Sequence, residues 1–99
     1  MARRSHKSEK VNEAIKRALS EIFLEELPPE AGNMITVLRV DTAKDLSKAE
    51  VYISSLKDTE KIVEELNQKS GYIRYLLGQK IKIRKLPELH FIHVPELPL

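Results

Sequence analysis

Residues 70–91, SGYIRYLLGQKIKIRKLPELHF, contain the change of period on which the predicted fold depends. Up to Gly78 the apolar residues have helical spacing, at Ile73, Leu76 and Leu77. From Lys80 onward basic and apolar residues alternate. Because successive side chains of a strand point to opposite faces, this alternation predicts a strand with one apolar and one basic face.

Charge along the chain is segregated into blocks. Residues 1–17 carry a net charge of +4, residues 18–68 carry −6 and residues 86–99 carry −2. Residues 69–85 hold no acidic residue and six basic ones: Lys69, Arg74, Lys80, Lys82, Arg84 and Lys85. Such blocks indicate an oriented surface field, and a polyanion is the favoured partner of the basic ones. The alternative is a solvated face, or an edge strand whose lysines oppose aggregation.

Length and composition limit the class of protein. A chain of 99 residues predicts a single domain over 1–99 with a small core. The sequence has no apolar run of membrane-spanning length and no signal-peptide pattern, so a cytoplasmic protein is expected. Because cysteine is absent, disulfides, thiol catalysis and thiolate zinc sites are excluded.

The remaining segments complete an α+β order. A helix is predicted from Ser8 to the Pro28-Pro29 pair, with Asn12 on its polar face. Strands are predicted over 34–40 and 49–56, and helices from Asp58 and over 72–77; residues 1–7 are expected to form a flexible basic arm and 92–99 an irregular tail. The resulting order, α-β-β-α-α-β, predicts two layers, with a three-stranded sheet and helices on one of its faces.

Enzymatic and metal-binding patterns are weak. In a strand, the odd separation of His90 and His93 places them on opposite faces. The chain contains no phosphate-cradling motif, and its acidic residues have no recognisable nucleophilic companion. We therefore expect neither an enzyme nor a metal or cofactor site; Glu88 and His90 are the last candidates for catalysis.

Two blocks of sequence identify a family. The first is VDTAKDLSKAEVYIS at 40–54, and the second joins Gly71-Tyr72-Ile73-Arg74 to Leu77, Ile83-Arg84 and PELHF at 87–91. With the order of elements, these blocks make residues 11–91 resemble bacterial ribosome-binding factor A. The resemblance implies a type II KH-like fold and a non-enzymatic assembly factor. Such a factor binds the small ribosomal subunit during late maturation of its RNA and is linked to growth in the cold.

The chain departs from the family pattern at three places. Lys69-Ser70-Gly71 stands where the family has a helix interruption of the form Ala-Xaa-Gly. Leu27-Pro28-Pro29-Glu30 replaces a common Asp-Pro-Arg, and Val94 replaces a common aspartate. Ordinary KH domains clamp nucleotides with a Gly-Xaa-Xaa-Gly loop, which this chain lacks, so we expect phosphate contacts that carry little sequence information.

The predicted RNA-binding residues follow from the basic blocks and the resemblance. Phosphate contacts are expected from Arg74, Lys80, Lys82, Arg84 and Lys85. Lys69 and Gly71 would act at the helix interruption, although Gly71 could equally be a left-handed helix C-cap. The basic arm would extend the contact through Arg3, Arg4, Lys7 and Lys10. Base stacking by Tyr72 or Tyr75 is the less favoured reading of two partly buried tyrosines.

The expected partners are the small ribosomal subunit and its RNA, bound by a monomer, with other assembly factors left open. The alternative from another class is a protein-interaction module whose acidic middle segment docks a basic partner. Its candidate residues are Glu60, Glu64 and Glu65.

Overall fold

The structure, a computed structural model, describes residues 6–27 and 35–94. Helices and strands follow one another in this part of the chain as α1 (His6–Glu26), β1 (Ile35–Thr42), β2 (Lys48–Ser55), α2 (Thr59–Gln68), α3 (Ser70–Lys80) and β3 (Glu88–His93). The predicted order and the two-layer α+β architecture are confirmed. Predictions for Arg3, Arg4 and the Pro28-Pro29 pair lie outside the described residues.

β2 is the central strand of the sheet. It pairs with β1 antiparallel and with β3 parallel, in the order β1-β2-β3. Ala49, Val51 and Ile53 alternate along β2 and are fully buried against the helices, as the sequence predicts. Parallel pairing requires a crossover connection between the two strands, and α2 with α3 supplies it.

A β-bulge lies in β1 at Leu38. Val37 pairs with Ile53 and Arg39 pairs with Tyr52, so Leu38 is the additional residue. Both Leu38 and Arg39 are exposed, whereas Val37 and Val40 on either side are buried. The bulge therefore returns Val40 to the core face after two outward residues.

α1 lies against β1 through the predicted apolar stripe, which includes Ile15, Leu19 and Phe23. Asn12, however, is buried rather than on a solvated face, with 8% of its surface exposed. Its Oδ1 accepts a hydrogen bond of 2.9 Å from the backbone N–H of Thr42. The prediction for Asn12 was wrong because β1 extends to Thr42 and covers this part of α1.

α2 and α3 are separated by a single non-helical residue, Lys69, with φ −102° and ψ 12°. Its N–H donates to the carbonyls of Glu65 and Leu66 at 3.1 Å each, and its own carbonyl accepts from the N–H of Ile73 at 3.0 Å. Gly71 lies in the first turn of α3 and has no positive φ, so the left-handed C-cap is wrong. The interruption expected at Ser70-Gly71 lies one residue earlier.

The end of α2 is joined to β3 by the side chain of Asn67. Its Nδ2 donates to the carbonyl of Phe91 at 2.9 Å, and its Oδ1 accepts from the Phe91 N–H at 2.8 Å. Below this contact the Phe91 ring lies 6.2 Å from that of Phe23, with the two planes at 49°. The third strand is thus fixed to both the helical layer and the core.

The predicted basic strand from Lys80 is wrong. α3 continues to Lys80, residues 81–87 form no strand, and β3 begins only at Glu88. The parallel register with β2 explains the position of β3, since it sets Leu89 beside Ala49 and Phe91 beside Val51 in the core. Other bounds also shift: residues 6 and 7 belong to α1, and residues 92 and 93 belong to β3.

Candidate nucleic-acid interface

The segment between α3 and β3, residues 81–87, is called the basic connection below. Lys82, Arg84 and Lys85 are exposed on its outer side. Its inner side holds four apolar residues, of which Pro87 is fully buried and the others are half-buried: Ile81, Ile83, Leu86 and Pro87. The predicted alternation thus holds from Ile81 to Arg84, although it was assigned to a strand, and Lys85, which a strand would place on the apolar face, is exposed as well.

Arg74 of α3 binds the far end of the basic connection. Its Nη2 donates to the carbonyl of Leu86 at 2.6 Å, and its Nε lies 3.2 Å from the carbonyls of both Leu86 and Pro87. Arg74 was predicted as a phosphate contact. In this structure, part of its hydrogen-bonding capacity is used within the protein.

Gly78 lets the basic connection approach α3 closely. A Cβ at this position would lie 2.8 Å from Cδ1 of Leu86, closer than real Cβ contacts come. At Gly71, by contrast, a Cβ would meet nothing within 4 Å. A Cβ at Gly78 would therefore displace the Leu86 side chain, whereas Gly71 opens the backbone at the start of α3 to solvent.

Lys80 is paired with α1 rather than directed freely to solvent. Its Nζ lies 2.9 Å from Oε1 of Glu25 and 3.4 Å from Oε2 of Glu21, and 24% of its side chain is exposed. The hydrogen bond to Glu25 is the main cause of a raised pKa for Lys80. Residues 69–85 contain no acidic residue, but the fold brings two carboxylates of α1, which is distant in the sequence, to Lys80.

The interruption between α2 and α3 presents Lys69 and Gly71 at the surface. Beside them the hydroxyl of Tyr72 donates to Oε1 of Glu26 at 3.3 Å, and the charge of Glu26 raises the pKa of Tyr72. Tyr72 and Tyr75 are 56% and 61% exposed, so both rings are accessible. Base stacking by them stays the less favoured of the two interpretations of the sequence.

The turn between β1 and β2, residues 43–47, borders the basic connection. The N–H of Glu88 donates to the carbonyl of Ser47 at 3.0 Å. The pKa of Asp45 is lowered, chiefly by hydrogen bonds from Ser47, and the positive charge of Lys85 adds to this effect. Two further exposed cations, Lys44 and Lys48, therefore lie at this corner.

Sequence reasoning missed Lys44 and Lys48 because they lie in the acidic block, about forty residues from the basic connection. The pairing of the start of β2 with the start of β3 brings these lysines close to the basic connection. Because the third strand was predicted in the wrong place, the sequence did not predict this pairing. Of the predicted arm, Lys7 and Lys10 belong to the first turns of α1. That end of α1 contacts Thr42, next to the same turn.

Other candidate sites are dispersed. Nε2 of His90 lies 3.9 Å from Oε1 of Glu88 at the exposed start of β3, and no group of three His, Cys, Asp or Glu residues in the described chain could hold a metal ion. Glu60, Glu64 and Glu65 are exposed on α2. The ring of Tyr52 on the open face of the sheet has the guanidinium of Arg39 4.6 Å from its centroid. None of the helices within residues 6–27 and 35–94 has the length and apolarity needed to cross a membrane.

Comparisons with known proteins agree on one family. The family model of ribosome-binding factor A matches residues 7–96. The chain is 39% identical to ribosome-binding factor A of Alkalilimnicola ehrlichii over 97 residues, which cover 94% of this chain and 75% of the relative. The crystal structure of ribosome-binding factor A from Thermus thermophilus superposes with a TM-score of 0.78 at 26% identity, covering 87% of this chain and 94% of that one.

A further match is a homology model of Thermus thermophilus ribosome-binding factor A that was fitted into the cryo-EM map of a 30S complex. Its TM-score is 0.69 at 25% identity, with 91% of this chain and 93% of that chain covered. These likenesses confirm the KH-like fold that the resemblance implied.

Proposed function

The chain belongs to the ribosome-binding factor A family, and from that premise we propose that it binds the small ribosomal subunit through its RNA during late maturation. The relative from Thermus thermophilus was fitted into the map of a 30S complex, which supports the subunit as the partner. The protein would act as a single-domain, monomeric factor in the cytoplasm, where bacterial ribosomes assemble. The resemblance extends the proposal to rRNA processing and growth in the cold.

The observation that carries this proposal is the basic connection. Lys82, Arg84 and Lys85 are exposed there, and none of the three has an ion pair with another described residue. The inner side of this irregular segment is packed against the protein, so its backbone is already ordered. Binding of phosphates by its cations would therefore require little further loss of conformational entropy. Proposed neighbours in the same contact are Lys69, Gly71, Lys10, Lys44 and Lys48, with Arg3, Arg4 and Lys7 extending it.

Arg74 and Lys80 also contribute charge to this surface, but both already have partners within the protein. Arg74 already donates to two carbonyls, and Lys80 is balanced by two carboxylates. The proposed phosphate contacts therefore centre on Lys82, Arg84 and Lys85, while these two residues border them.

The proposed mechanism requires no catalysis. A protein that binds one conformation of an immature RNA better than another shifts the population towards the first. The size of that shift is set by the difference between the two affinities, not by tight binding alone. Release would follow when maturation removes the preferred conformation.

The test is co-sedimentation of the protein with isolated small subunits, large subunits and assembled ribosomes at low and physiological salt. We expect binding to small subunits alone, with log affinity falling linearly with log salt by up to about 0.9 per phosphate contact. The Lys82→Glu/Arg84→Glu variant should weaken binding at both salt concentrations, because it replaces two cations of the contact by anions.

The matched control is Lys57→Glu/Lys61→Glu, which changes the net charge equally at the opposite end of β2, where β2 leads into α2. The control should bind like the wild type. Absence of binding to any ribosomal particle would contradict the proposed partner. Equal weakening by both double variants would mean that net charge, rather than this surface, governs binding.

A further inference from the structure

We infer that Arg74 and Gly78 are positioning residues: they hold the basic connection in the one shape that presents Lys82, Arg84 and Lys85 together. The inference rests on the proposed RNA-binding function and gives that surface a built-in support. It separates the residues that contact phosphate from those that fix the contacting segment.

The basic connection has few backbone hydrogen bonds. Its start is held by the N–H of Ile81, which donates to the carbonyl of Leu77 at 3.0 Å, and β3 begins with the bond from Glu88 to Ser47. Between these points, residues 82–87 make no backbone–backbone hydrogen bond to any described residue. Their conformation therefore depends on side chains.

Arg74 holds the C-terminal end of the basic connection through a forked contact. Its guanidinium reaches the carbonyls of Leu86 and Pro87 through two nitrogens, Nε and Nη2. A planar guanidinium offers donors in a fixed fork, whereas the ammonium of lysine is a compact group on a flexible stem. Arginine can therefore fix two successive carbonyls in relation to α3, and lysine cannot reproduce the arrangement.

The side chain of Leu86 packs into a notch at Gly78. Cδ1 of Leu86 occupies the space that a Cβ at residue 78 would need, at 2.8 Å. Leu86 follows Lys85 directly and precedes the fully buried Pro87. Leu86 therefore has two contacts with α3. Its carbonyl binds Arg74, and its side chain packs at Gly78, one helical turn further along the helix.

The experiment compares Arg74→Lys, which keeps the charge but loses the fork, with Arg74→Gln, which loses both. Binding to small subunits is measured over a series of salt concentrations. If Arg74 positions the connection, both variants should bind several-fold to about tenfold more weakly, as expected for the loss of hydrogen bonds worth about 1 kcal/mol. The salt slope of Arg74→Lys should equal that of the wild type.

If Arg74 instead contacts phosphate, Arg74→Lys should bind like the wild type, and Arg74→Gln should lower the salt slope by about one. That result would overturn the inference. Gly78→Ala supplies a second variant without any change of charge, and it should weaken binding in the same direction as Arg74→Lys because Leu86 has to move.

NMR relaxation of the free protein gives a readout that does not require RNA. The backbone order parameters of residues 82–86 should fall in Arg74→Lys and in Gly78→Ala, while the amides of β2 keep their protection from hydrogen exchange as a sign of an intact fold. Unchanged order parameters at residues 82–86 in both variants would refute the positioning role. If the wild type fails to bind small subunits, the proposed function fails, but the relaxation measurement still decides this point.

Discussion

Three polar side chains form hydrogen bonds with the backbone of segments that are distant in the sequence. Asn12 binds β1, Asn67 binds β3 and Arg74 binds the basic connection. Residue type and spacing reveal none of these contacts, because each depends on which segment the fold brings close. This is why Asn12 could be mistaken for a solvated residue and why Arg74 was predicted only as a phosphate contact.

Asn12→Ala tests the first of these contacts. The change leaves the N–H of Thr42 without its partner in a part-buried position, so we expect a loss of about 1–3 kcal/mol in the free energy of unfolding. Urea denaturation followed by circular dichroism measures it. As a control, Glu13→Ala at the exposed neighbouring position should change stability by less than about 0.5 kcal/mol. A stability of Asn12→Ala equal to that of the wild type would show that the bond contributes nothing.

At the scale of elements, the sequence predicted local structure better than pairing. The β1–β2 hairpin follows from β-branched alternation and the turn between its strands, both of which are local signals. The third strand depends on a parallel register with β2, which connects Lys48 with Glu88. The alternation from Lys80 to Arg84 indicates which side chains face inward. An extended segment can show this alternation without pairing to a neighbouring strand, which is why it was mistaken for a strand.

The contact between α1 and α3 gives a prediction at this scale. Glu21→Gln/Glu25→Gln removes both carboxylates that hold Lys80, so its charge becomes available to phosphate. We expect tighter binding to small subunits and a salt slope steeper by up to about 0.9. The loss of stability should be small, because the acidic side chains are exposed.

The control for this variant is Glu60→Gln/Glu64→Gln on α2, which changes the net charge by the same amount away from Lys80. Sedimentation at several salt concentrations compares the two. A steeper salt slope in both variants would contradict a specific role for Lys80 and indicate a general effect of net charge.

At the scale of the whole molecule, the charge blocks of the sequence are rearranged by the fold. The basic connection keeps Lys82, Arg84 and Lys85 outward as expected, but α1 neutralises Lys80 and the β1–β2 turn adds Lys44 and Lys48. Composition indicates that a basic surface exists. Which residues belong to this surface depends on contacts between segments up to about sixty residues apart, and a single sequence does not reveal those contacts.

Asn67 also affects how whole molecules meet. Its amide binds both the N–H and the carbonyl of Phe91, groups through which an edge strand could pair with another chain. Asn67→Ala should therefore increase self-association and destabilise the fold. Light scattering during gel filtration at several protein concentrations measures the self-association. Urea denaturation measures the loss of stability. Asn67→Asp, which keeps only the acceptor, should fall between. A strictly monomeric Asn67→Ala would show that the edge is protected by other means.

The parallel pairing of β3 has a consequence for the order of folding. The hairpin can form from neighbouring residues, but β3 must close a loop of about forty residues before it reaches β2, and non-local pairing of this kind forms slowly. During synthesis β3 is also the last of the described elements to be made. The basic connection ends where β3 begins, so a nascent chain with β3 undocked lacks a fixed end for this segment. The protein therefore gains the full proposed contact surface only when folding is complete.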